Sequence, residues 1–180
     1  MEATAALTGV FDRLLGHNAW ATRVLLERCR GLTPVQFTQR FDIGPGSLHD
    51  TLLHVVGAMR RWADRIDERP LRDRIEQQKQ RPRSPAEILA LLDDAARDLK
   101  GVADRVVEED RLDEQMQVLY SGQERPFVVT RGTALVHVLT HGVHHRAQCL
   151  NMLRRLGVQD LPDLDAVEWE VQATGRSKAP

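Results

Sequence analysis

Apolar residues return every three or four positions through four separate stretches of the chain, the spacing of amphipathic helices. Leu7, Phe11, Leu14, Asn18, Ala21, Leu25 and Cys29 make the first stripe, broken once by Asn18 and stopped by Gly31 and Pro34. After the helix-breaking loop "FDIGPG", Ser47 offers an N-cap with an acid three residues later. Leu48, Leu52, Val55, Met59, Trp62 and Ile66 form the second stripe, which "ERP" stops. The polar stretch from there to Arg83 reads as a connection. In "SPAE", a serine cap, a proline at the first helical position and a glutamate closing the capping box announce the third helix. Ile88, Leu91, Leu92, Ala95, Leu99, Val102 and Val106 carry it to about Glu109.

Between Arg111 and Arg131 the period changes. "EQMQVLYSGQERPFVV" holds two β-prone runs around "SGQE", which predicts a short hairpin or a pair of extended arms. The fourth helix spans about Gly132 to Leu156 and is closed by Gly157. The tail, with "LPDL" and "AVEWE", is expected to hold a short extra turn with Trp169 as an anchor. The pattern predicts an all-α, four-helix bundle with one long crossover connection. It is expected to be a single domain over 1–180, with a core from about 7 to 157 and a tail from 158 to 180.

Composition narrows the function. The charges nearly cancel, at a formal net charge of -1, and no basic run alternates with aromatics. A nucleic-acid partner is therefore not expected. No window approaches the ~20 consecutive apolar residues of a membrane span, and the N-terminus lacks the pattern of a secretory signal. Cys29 and Cys149 belong to no Cys-x-x-Cys pair and read as reduced, partly buried thiols of a cytoplasmic protein.

The chemistry gathers in "HVLTHGVHHRAQ". Four of the seven histidines fall between His137 and Arg146. At about 100° per residue, Ala134, His137, His141, His144, His145, Gln148 and Met152 share a band of about 120°. Leu135, Arg146 and Leu153 lie opposite. His141 and His145, one turn apart, aim at one place as helical two-histidine metal sites do, but His141 and His144 are also helical neighbours. A transition metal needs a further ligand, for which His54, His49 and His17 are candidates. A polar stripe, or separately satisfied histidines, would account for the pattern as well.

The blocks "GSLHDTLLHVVGAMRRW" (Gly46 to Trp62) and "LVHVLTHGVHHRAQ" (Leu135 to Gln148), with the opening "LLGHNAWATRVLLE", resemble the DinB/YfiT-like superfamily. The resemblance runs from about Leu7 to Gly157, and the usual glycine is replaced by Ala147. It implies a four-helix bundle binding one divalent metal, zinc or nickel, through His54, His141 and His145, with His137 on the pocket wall. Three protein ligands leave open positions, as in catalytic sites. Characterised relatives include transferases and isomerases using low-molecular-weight thiols such as bacillithiol or mycothiol. The label "damage-inducible" carries no chemistry.

The expectation is a cytoplasmic metalloenzyme for thiol-dependent transfer or conjugation, taking a small thiol and an electrophile. The resemblance also implies a homodimer and a link to stress response. Gln148, on the pocket face, is expected to orient substrate or a ligand. Arg146 is expected to point away into a structural or interface salt bridge. Asn18 either faces the cavity or is buried against backbone. Two alternatives differ in class. One is a hydrolase activating water, with His144 as proton shuttle but no acid beside the ligand pair. The other is a non-catalytic, metal-stabilised binding protein.

Overall fold

The computed structural model describes residues 2–77, 81–120 and 122–175. It is mostly helical: α1 (Glu2–Cys29), α2 (Pro34–Thr38), α3 (Leu48–Ile66), α4 (Pro85–Glu108), α5 (Arg131–Arg155) and α6 (Ala166–Thr174). A 3-10 turn at Ile75–Gln77 lies between α3 and α4, and the strands β1 (Gln115–Val118) and β2 (Phe127–Thr130) lie between α4 and α5. The four long helices are the four stripes of the sequence. α1 lies against α4 and α5, and α3 lies against the same two.

Local signals place the helix ends. The Ser47 hydroxyl accepts from the Asp50 amide, and Ser84 with Glu87 closes a reciprocal capping box. Thr130 caps α5, and Gly157 takes the left-handed conformation just beyond its end, at φ +77°. The loop before α3 turns through Gly44 and Gly46, both at positive φ. The five-residue α2, capped by a Thr33 capping box, begins with Pro34, a proline that the sequence suggests only as a stop.

Leu48, Leu52, Val55, Met59, Trp62 and Ile66 are all buried on α3, and the α4 stripe is buried except for the half-buried Leu91. The first stripe holds only over its C-terminal half. Ala21, Leu25 and Cys29 are fully buried, whereas Leu7 and Leu14 are 44% and 43% exposed. Among the described residues no element covers that flank at their level, so Leu15 takes the inward place instead.

β1 and β2 pair antiparallel, with Gln115 opposite Thr130 and Val118 opposite Phe127. Of the expected "SGQE" turn, Ser121 lies outside the described residues, as do residues 176–180 of the tail. The tail forms α6, and Trp169 packs so closely on Gly16 that a β-carbon there would meet its ring at 2.9 Å. Among the described residues no helix is long and apolar enough to cross a membrane.

Candidate metal centre

His54 comes from the middle of α3, and His141 and His145 from successive turns of α5, the two helices packing face to face. His141 Nε2 lies 3.0 Å from His54 Nε2 and 3.2 Å from His145 Nε2. One ligand atom from each of the three falls within 4.8 Å of the others, the one such cluster among the described residues. Nitrogens held tetrahedrally at ~2.0–2.1 Å from a single ion would be about 3.3 Å apart. Both separations from His141 come close to that spacing, and the third lies within 4.8 Å, so the three imidazoles are grouped as ligands of one ion would be.

The outer ring nitrogens decide which way the lone pairs point. His54 Nδ1 faces Glu76 Oε1 at 3.4 Å, and His145 Nδ1 faces Gln148 Oε1 at 2.8 Å. Both partners are acceptors, so each Nδ1 carries the proton and each Nε2 presents a bare lone pair inward. The Gln148 amide is held in turn, because its Nε2 lies 2.9 Å from His144 Nε2. Gln148 also lies against the loop before α3, where a β-carbon on Gly44 would fall 2.1 Å from Oε1.

The electrostatics favour the neutral form of the α5 pair. Burial, then its histidine neighbours, push the pKa of His141 down to about 3. Burial likewise lowers that of His145, against the opposing bond to Gln148. Neutral imidazole is the form that binds a metal. His145 is buried, while the His54 side chain is 37% exposed and leaves the cluster accessible.

Glu76 is the residue that sequence reasoning missed. It lies in the segment read as a polar connection, 22 positions from His54. The signal that could have found it is Gly57, three residues after His54 on α3, where a β-carbon would meet the Glu76 carboxylate at 2.7 Å. Burial opposes charge on Glu76, but its bond to His54 prevails and holds the carboxyl below its usual range. Its second oxygen, Oε2, is buried with no hydrogen-bond partner among the described residues.

The other histidines do different work. His49 bonds to Asp50 and accepts from the Arg83 amide, and His17 bonds to the Leu164 carbonyl between Trp20 and Trp169. Neither reaches the cluster. His137 stacks between Trp62 and His141, with ring centroids 4.7 Å and 5.7 Å away. His144 is exposed and leans on His145 at 5.0 Å.

Two expectations are corrected. Arg146 does not reach outward to a salt bridge: it is 3% exposed and bonds to Asn18 Oδ1 at 2.6 Å and Thr22 Oγ1 at 3.3 Å. The side of α5 opposite the histidines packs against α1, so a residue there is buried too. Asn18 does not line the cluster, nor does its side chain bond to backbone; it is closed between Arg146 and Met59 Sδ. Burial lowers the pKa of Arg146 to about 10, which leaves it charged at neutral pH.

No curated protein matches the chain. The DinB family model matches residues 1–173, and the chain belongs to the DinB family.

Proposed function

We propose that the protein is a metalloenzyme in which His54, His141 and His145 hold one divalent transition metal, zinc or nickel, for thiol-dependent transfer or conjugation. The observation that carries this reading is the convergence of three histidines, two of which have their outer nitrogens tied, His54 to Glu76 and His145 to Gln148. When bound, such an ion would lower the pKa of a small thiol and favour the thiolate at neutral pH. The chain's own residues orient the ligands, exclude water from the α3–α5 interface and leave access past His54. Gln148 connects His145 to the exposed His144, which is placed to exchange protons with solvent. The thiol reading is preferred to hydrolysis because Glu76, the nearby acid, is engaged on the outer nitrogen of His54 and does not face the converging lone pairs.

The same reading takes the four long helices as one four-helix-bundle domain, cytoplasmic and homodimeric, acting on a small thiol and an electrophile without nucleic acid or membrane. Elemental analysis of tag-free protein is expected to find about one transition metal per chain, lost in His54→Ala and His145→Ala. Turnover with a panel of low-molecular-weight thiols and electrophiles then tests the reaction. Metal retained without turnover, with a large loss of stability on chelation, would support a structural role instead. Metal content unchanged in both variants would overturn the ligand set.

A further inference from the structure

A cavity of about 260 Å³ opens beside the histidine cluster, between the hairpin and the packed helices α3 and α5. Its walls include Trp62 on α3, Val118, Tyr120, Phe127 and Val129 on the hairpin side, and His137 on α5. Two features set it apart from an ordinary surface dent. The chain is poor in aromatics, yet its only tyrosine and one of its three tryptophans stand here. They are arranged edge to face, with Trp62 and Tyr120 centroids 6.4 Å apart and Tyr120 and Phe127 centroids 5.8 Å apart. Tyr120 and Phe127 remain 40% and 49% exposed, so the apolar wall faces open space rather than packing shut.

The second feature is charge. The Arg65 guanidinium lies 5.2 Å over the Trp62 ring, donates to the Arg61 carbonyl at 3.5 Å and forms no ion pair with a carboxylate among the described residues. Trp62 is itself a wall of the cavity, so the guanidinium stands against its lining. Burial, then the positive charge of Arg61 and Arg74, lowers the pKa of Arg65, against Tyr120 and Asp64, which favour its charged form. An apolar slot beside a cation without a carboxylate suits an apolar ring carrying an anion. The space is below the ~300–1,000 Å³ of sites for drug-sized ligands and has room for one ring system.

We propose that this cavity binds the aromatic ring of a small carboxylate-bearing substrate, with Arg65 receiving the carboxylate. His137 forms the shared wall: it lines the cavity and stacks on His141. Those two are four positions apart on the helix, about 6 Å along the axis, so a ring seated in the cavity holds its substituents within about one turn of the cluster. This inference rests on the proposed metal centre for calling the ligand a substrate; the binding itself does not need the ion.

Phenylacetate and its neutral isostere phenylacetamide test it, titrated by calorimetry into the full chain after chelation. Saturable binding of phenylacetate at least tenfold tighter than phenylacetamide is expected, with that preference gone in Arg65→Gln. Thr133→Trp, on the exposed first turn of α5, fills the cavity and should weaken phenylacetate at least tenfold, and Phe127→Ala should weaken both probes alike. Far-ultraviolet circular dichroism checks that each variant is folded. Equal binding of both probes, or phenylacetate affinity unchanged in folded Thr133→Trp, overturns the proposal. Phenylacetate binding that persists in His54→Ala keeps the cavity assignment even if the metal centre fails. Metal retained by a protein that ignores phenylacetate refutes the cavity and leaves the metal centre standing.

Discussion

Glu76 Oε1 stands 3.4 Å from His54 Nδ1, on the side of the ring away from the cluster. A carboxylate in this place fixes the tautomer and makes the facing nitrogen more basic. Glu76→Ala is expected to weaken metal affinity about 10–100-fold, and Glu76→Gln, which keeps an acceptor, by less. Competition against a chromophoric chelator measures both. Affinity unchanged in Glu76→Ala would show that His54 is oriented by packing alone.

Gly57 separates stability from affinity. An alanine there gains about 1 kcal/mol of helix propensity. Its β-carbon, however, would meet the Glu76 carboxylate at 2.7 Å and push it from His54. Gly57→Ala is therefore expected to lose metal affinity by several-fold while its thermal midpoint without metal does not fall in proportion. A variant that binds metal as the parent does would mean that the 3-10 turn simply moves aside.

The Arg146–Asn18 pair makes a different prediction, on stability alone. Arg146→Met leaves the Asn18 and Thr22 oxygens without their donor and should cost about 1–3 kcal/mol in urea unfolding. Adding Asn18→Leu removes the larger orphan and is expected to recover much of that loss, because two apolar partners need no hydrogen bond. Metal content should stay at the parent level in both. A double variant less stable than the single would show that Arg146 contributes mainly by packing.

The two cysteines are fully buried, and burial pushes the Cys29 thiol up to about 12 and that of Cys149 well above its ordinary value. At pH 8 the thiolate fraction of Cys29 should be lower than that of a free thiol by about a thousandfold, and that of Cys149 is suppressed in the same direction. An aromatic disulfide reagent is expected to label them only after denaturant is added. The same shift has a sign in pH. From about 9, the ordinary value, to about 12, the unfolded chain holds fewer thiol protons than the folded one, so the thiol contribution to stability falls as pH rises. Rapid labelling of the native protein would place a thiol at the surface instead.

What could be read in advance depends on how far each cause lies along the chain. Ser47, Ser84 and Glu87 act within four residues, and their caps appear in the structure as the sequence predicted. His141 and His145 share one helix, so periodicity brought them together, and the resemblance selected His54 from among three candidate partners. Glu76 had no such help. It enters through the geometry of a 3-10 turn, which no period announces. Arg146 failed for a related reason. A helical wheel separates the faces of α5 but does not say that α1 covers the face opposite the histidines. Leu7 and Leu14 show the converse, a correct apolar face with no partner beside it.

The histidine cluster draws two nitrogens from α5 and one from α3. A slip of one residue between those helices displaces the pair by about 1.5 Å and turns it by about 100°, enough to scatter the three lone pairs. An ion seated there would therefore act as a gauge of helix register, rewarding one alignment of α3 and α5 over its neighbours. On that view the alignment of α3 and α5 is the one dimension of the fold that the cluster itself can enforce.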